Sequence, residues 1–204
     1  MTEVLEQLRA AILRGDFAPR QRLIEADLTE QYATSRFVLR NAFTRLADEG
    51  LVELQPNRGA RVRETTVAEA IEITEIRRAI EALVAARAAE RITSEQRAGL
   101  QALGEQMIAA VREADTLGYS ELNAQVHAMI RSIAGHTSAT RIIEQLHAQM
   151  VRHQFRLSLR PGRPSVSLPE HLAIIEAICA QDPVAADRAM QTHLSSVLEA
   201  LRSG

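Results

Sequence analysis

Lysine is missing from the chain: all 24 basic residues are arginine. Tryptophan is missing too, and aromatics make up only 3% of residues, which excludes the stacking platforms that hold single-stranded nucleic acid. A single cysteine, Cys179, rules out an internal disulfide and any cysteine-rich zinc module. It suits a reducing compartment, and the cytoplasm is the expected location. No apolar run approaches the roughly 18 residues needed to cross a bilayer, and the amino terminus lacks a basic-then-apolar signal pattern. No membrane partner is expected. What is present is an ordinary globular composition, 46% apolar and 25% charged over 204 residues. That length suffices for one medium domain or two small ones, each with a core.

The formal charge of −2 conceals an asymmetry. Residues 33–63 hold Arg36, Arg40, Arg45, Arg58, Arg61 and Arg63 against Asp48, Glu49 and Glu53, six positive charges to three negative. The rest of the chain is therefore acidic, as expected where a nucleic-acid-facing module is joined to a neutral or acidic one.

The spacing predicts a mainly α-helical protein: a winged helix-turn-helix over residues 1–64, then a helical bundle over 65–204. In the first part, Val4, Leu5, Leu8, Ile12 and Leu13 form a helical stripe ending at Gly15. A short helix follows from about Glu25 to Tyr32, then a break at Ala33-Thr34, with Ser35 as the N-cap of a third helix reaching Glu49. Val38, Leu39, Ala42, Phe43 and Leu46 are expected inward, and Gly50 suits the left-handed residue that closes a helix. Two short strands then flank a turn at Pro56-Asn57-Arg58-Gly59. From Thr66 on, capping-box spacings (Thr66…Glu69, Thr93…Gln96, Ser167…Glu170) and Asp182-Pro183 divide the chain into about six helices. These are 67–91, 94–114, 118–134, 138–159, 168–180 and 183–202, with residues 160–165 as a surface loop.

A short helix, a tight turn and a second helix opening on Ser-Arg is the pattern that lays a recognition helix in a major groove. Arg36 and Arg40 share a face, with Phe37 and the Val38-Leu39 pair expected off it. A guanidinium grips guanine O6 and N7, or a phosphate, through two hydrogen bonds. Asn57 and Arg58 fall at a wing tip able to reach the adjacent backbone or minor groove. The plainer alternative is a small helical core with solvated arginines. One such module reads a half-site, so a homodimer on a two-fold operator in double-stranded DNA is expected.

Three of six histidines fall on apolar helix faces. His127 lies among Val126, Ile130 and Ile133, His171 among Ile174, Ile175 and Ile178, and His193 among Ala186, Met190 and Val197. One such histidine is ordinarily a satisfied core residue. Three on separate helices suggest a shared divalent ion, because imidazole is the common ligand for zinc, nickel and related metals. Zinc is the expected ion and nickel an alternative. Asn123, four residues before His127, can add an amide oxygen as a fourth donor. Three imidazoles and an amide leave the ion's charge uncompensated, which implies weaker metal binding than an aspartate would give and a greater demand for an anionic ligand. His136, His147 and His153 are read as structural, His136 as exposed and His147 as an outer neighbour of the site.

The run from Leu8 to Val62 resembles the winged helix of GntR-type transcriptional regulators. It carries Ile12…Gly15, Leu23-Ile24-Glu25, Ser35-Arg36…Leu39-Arg40, Leu46…Glu49-Gly50-Leu51-Val52 and Pro56…Arg58-Gly59…Val62. The resemblance implies that Ser35, Arg36, Val38, Arg40, Asn57, Arg58 and Gly59 sit against DNA. Departures occur at Pro19-Arg20, at Val38-Leu39-Arg40-Asn41-Ala42-Phe43 and at Ala26, and these bear on the operator sequence. Residues 67–202 resemble the FCD effector domain of the FadR branch of that family, through Asn123, His127, Glu170-His171 and His193 in order and spacing. This implies a cytoplasmic metabolite-responsive regulator, expected to be a repressor. Its bundle would bind a small carboxylate effector beside a divalent metal. Arg77 takes the position of a family arginine that lines the effector cavity; the other reading is an exposed arginine paired with Glu81.

The alternative function is a metal-dependent hydrolase or another metalloenzyme built on the bundle. Glu144…His147 is a Glu-x-x-His element, but di-iron bundles need two copies and further glutamates. No nucleophile motif or phosphate-cradling glycine loop is present. No enzymatic activity is expected.

Overall fold

The computed structural model describes residues 2–56, 58–158 and 160–203. In chain order the elements are α1 (Thr2–Arg14), β1 (Arg22–Leu23), α2 (Glu25–Gln31), α3 (Arg36–Asp48), β2 (Val52–Gln55) and β3 (Gly59–Val62). There follow α4 (Val67–Arg91), α5 (Ser94–Arg112), α6 (Thr116–Ala134), α7 (Thr137–Ser158), α8 (Arg163–Cys179) and α9 (Pro183–Arg202). Two compact units result, residues 1–66 with 147–151 of α7, and residues 67–146 with 152–204. No described helix is long and apolar enough to cross a membrane.

In the first unit, α1, α2 and α3 enclose a core of Leu8, Ile12, Leu28, Leu39, Phe43 and Leu46, closed by Leu51 and by Val52, Ala60 and Val62 from the strands. Arg9 ties α1 to the end of α3 by donating from Nε to Glu49 Oε2 at 2.7 Å. The Ser35 hydroxyl accepts the Val38 N–H at 3.3 Å and sets the first residue of α3. Gly50, at φ +73°, turns the chain out of that helix into β2. The sheet has three strands in the order β1-β3-β2, all antiparallel, with Leu23 opposite Ala60 and Val52 opposite Val62. β1 is absent from the sequence expectation, because two residues carry no readable alternation. Its seat explains Gly59. That residue has φ +82°, and a Cβ there would lie 2.6 Å from the Leu23 carbonyl oxygen, so only glycine lets β1 pass this close.

In the second unit α4 packs against α6, α8 and α9. Its buried Ala82, Ala85, Ala88 and Ala89 let neighbouring helices approach closely around Ile130, Ile143, Ile174 and Ile178. The Thr93 capping box is formed, and Asp182 accepts the Val184 and Ala185 N–H groups ahead of α9. The expected start of α8 is corrected from 168 to Arg163, which shortens the loop before it. Pro164 sits in the first turn, where its missing N–H costs nothing, and Pro169 is carried inside the helix. Ser167 is consequently not a cap. It is a buried mid-helix residue, and its hydroxyl lies 2.7 Å from the Tyr119 hydroxyl.

Candidate functional site

The first unit presents the outer face of α3. Successive residues turn by roughly 100° about the axis, so Leu39, Ala42, Phe43 and Leu46 fill one side and enter the core. The opposite arc exposes Arg36, Phe37, Arg40, Thr44 and Arg45, with Asn41 half-buried among them. Val38 is half-buried at the edge, not fully inward. The expectation for Phe37 is corrected: it stands in the middle of this arc and is 72% exposed. Arg40 projects into solvent while its Nε donates to the Glu25 carboxylate of α2 at 2.9 and 3.1 Å. On the wing, Arg58 is exposed and its carbonyl oxygen accepts from Arg22 Nε at 3.2 Å; Asn57 lies outside the described residues. Exposed guanidinium groups on one helix face and on a hairpin tip form a surface of positive charge and hydrogen-bond donors. Such a surface is what a phosphate backbone and base edges require.

The second unit brings His127 of α6, His171 of α8 and His193 of α9 together, all buried. One nitrogen from each ring can be chosen so that the three lie within 4.8 Å of one another. The ring centroids of His171 and His193 are 4.3 Å apart, and His127 stands 5.5 Å from each. The Nδ1 atoms are engaged by the protein itself. His127 Nδ1 is 3.1 Å from Glu81 Oε2, His193 Nδ1 is 2.9 Å from Glu170 Oε2, and His171 Nδ1 is 2.8 Å from the Ser167 carbonyl oxygen. Carboxylates and carbonyls accept, so each Nδ1 carries the proton and each Nε2 keeps its lone pair. His171 Nε2 is buried without a hydrogen-bond partner. Desolvation, and after it the other two rings, holds His171 well below the ordinary histidine range. Burial and then His127 do the same to His193. Both are neutral at physiological pH. Neutral rings with oriented Nδ1 protons and free Nε2 lone pairs are the form that ligates a divalent ion, so this donor set fits one.

Around the rings lies a shell of charge. Arg77 of α4 is only 4% exposed and its Nε donates to Glu81 Oε1 at 2.8 Å, one helical turn away. The exposed-arginine reading of Arg77 is therefore corrected; Glu81 bridges it to His127. Arg163 Nη2 lies 3.6 Å from Glu170 Oε2 and Nη1 donates to Ser196 Oγ at 2.9 Å. The Tyr119 hydroxyl sits 3.2 Å from His171 Nδ1, and desolvation pushes its pKa up to about 12. Asn123 is half-buried on α6, on the face that runs from Tyr119 to His127. Sequence reasoning missed Tyr119 and Ser167. The signal for Tyr119 was available, since it precedes His127 by eight residues on one helical face. His136 is half-buried rather than exposed, and its Nδ1 accepts the Ala139 N–H at the start of α7 at 3.3 Å.

A recognition-helix unit followed by an all-helical unit defines a DNA-binding transcriptional regulator as a class. Comparison with known proteins places the chain within it. Residues 1–62 match the gntR family of bacterial regulatory proteins and residues 72–196 match the FCD domain. The chain belongs to the GntR family of transcriptional regulators and carries an FCD domain. It is 32% identical over 200 residues to the HTH-type transcriptional repressor RspR of Escherichia coli K12, covering 98% of this chain and 88% of that protein. The galactonate operon transcriptional repressor of the same organism is 28% identical, covering 94% and 92%. Among solved structures, E. coli McbR/YncC shares the fold with a TM-score of 0.79 at 23% identity, over 99% of this chain and 96% of that one. Streptococcus agalactiae GntR aligns with a TM-score of 0.56 at 23% identity, over 97% and 98%. These relatives are regulators and not enzymes, which removes the hydrolase alternative.

Proposed function

We propose that this chain is a metabolite-responsive repressor of the FadR branch. It acts as a homodimer, reading its operator with Ser35, Arg36, Val38, Arg40, Asn57, Arg58 and Gly59. In the FCD domain His127, His171 and His193 would hold a divalent ion, zinc in the first instance, with Asn123 adding an amide oxygen. The observation that carries this reading is the convergence of three buried imidazoles whose Nδ1 atoms are all taken by acceptors. When bound, the ion supplies a positive charge that attracts an anionic effector. The chain's own residues make that attraction necessary. Arg77 is offset by Glu81 and Arg163 faces Glu170, so the surroundings leave the ion's charge unbalanced. A small carboxylate is the ligand class that balances it, with Arg77 and Glu81 setting the polarity of the wall around it. The named repressors among the relatives support the direction of control.

Two measurements test the two halves. Isothermal titration with zinc should show Asn123→Asp binding about tenfold or more tightly than the parent, because a full negative charge would then face the ion. Equal or weaker affinity would sink the assignment of Asn123. Arg40→Ala should weaken binding to a duplex selected from a random pool by about tenfold or more, with circular dichroism unchanged, because the side chain is exposed. Full affinity in that variant would remove Arg40 from the reading surface.

A further inference from the structure

Phe37 is the most exposed large apolar side chain among the described residues of the first unit and sits at the second position of α3, directly after Arg36. Nothing in the core needs it there: Leu39, Ala42, Phe43 and Leu46 already fill the inner side of the helix. An exposed phenylalanine keeps a large apolar area in water, an arrangement that gains free energy only when another surface covers it. The positions around it are polar or cationic. Arg36 and Arg40 flank one side of the exposed arc, and Asn41 and Arg45 the other. In a helix-turn-helix the amino-terminal part of the recognition helix is the part that reaches base edges. The apolar feature on a major-groove floor is the thymine C5-methyl group, whereas the remaining edges present donors and acceptors.

We infer that Phe37 is a specificity-determining residue that packs its ring against a thymine C5-methyl group in the major groove of each operator half-site. This deepens the DNA-binding reading and rests on it. The arginines at its sides hold the helix against the phosphates and base edges, and the ring between them selects thymine at one position by excluding water from the methyl group. A cytosine there presents an amino group and no methyl, which leaves the ring against a polar edge.

The test uses the full-length protein and duplexes selected by it from a random pool. At each selected thymine, deoxyuridine is substituted in turn, which removes the methyl group and keeps every hydrogen-bonding atom. The parent should lose about fourfold in affinity at one thymine per half-site, the factor that one buried methyl group is worth. In Phe37→Ala the same substitution should become silent, and overall affinity for the selected duplex should fall by about tenfold. Phe37→Leu should retain part of the methyl sensitivity. Methyl sensitivity undiminished in Phe37→Ala, or no thymine at which uracil matters to the parent, would overturn the inference while leaving DNA binding intact. Failure of the parent to select any sequence would overturn the DNA-binding reading itself, and this inference with it.

Discussion

In His171→Ala, the divalent ion proposed for the imidazole centre should no longer bind, and added zinc should no longer raise the unfolding temperature. His171 is 1% exposed and its Nε2 has no protein partner, so this side chain has least to do structurally at that atom and most to offer an ion. Removing one of three imidazoles leaves two imidazoles and the proposed Asn123 amide oxygen, and the affinity should fall by more than the roughly 10–100-fold that loss of an outer-shell partner alone costs. With zinc present at about a thousand times its dissociation constant, linkage predicts roughly 4 kcal/mol of stabilisation in the parent, and about 1.4 kcal/mol or less in a variant that binds at least a hundredfold more weakly. Elemental analysis of the dialysed proteins and thermal unfolding with and without added zinc provide the readings. A variant that retained one equivalent of metal would end the case for this centre.

Glu81→Ala should strongly destabilise the second unit, measured on metal-free protein. Glu81 is 3% exposed and holds two groups at once, the Arg77 guanidinium at 2.8 Å and His127 Nδ1 at 3.1 Å. Its removal strands a buried cation and a buried imidazole proton. Breaking a buried ion pair by deleting one partner costs about 3–5 kcal/mol, which in a chain of this size lowers the melting temperature by about 10 °C. Removing both charges with Arg77→Met and Glu81→Leu should cost far less, since no orphaned charge remains. Equal destabilisation by the single and double variants would show that packing volume, and not charge pairing, holds this part of α4.

The starts of α3, α5 and α9 were legible from their cap residues, whereas Asp115, which caps α6 by accepting the Gly118 N–H at 2.9 Å, went unread and that helix was expected only from 118. Ser35, Thr93 and Asp182 each mark a helix beginning that the structure realises with a side-chain hydrogen bond. Ser167 misled for the same reason: a capping-box spacing was present, but the serine's hydroxyl turned inward to Tyr119 and the helix had already begun four residues earlier. β1 was invisible because its two residues are held by the partner strand and by a glycine rather than by any pattern of their own. The three histidines could be placed on interior faces by helical spacing alone. Their approach to one another depends on how α6, α8 and α9 pack, and the acceptors on their Nδ1 atoms come partly from α4, which no local spacing reveals. Phe37 was misplaced because Arg36 and Arg40 were treated as the centre of the α3 face, when they lie toward its margin.

The three imidazoles come from stretches separated by long spans of chain, with residues 127 and 193 at the extremes. A shared ion would therefore behave as a reversible crosslink closing a loop of more than sixty residues, trimming the unfolded ensemble as a disulfide does. In a protein with one cysteine, chelation at this centre would take the role that oxidation plays elsewhere, and the integrity of the bundle would then follow the supply of metal.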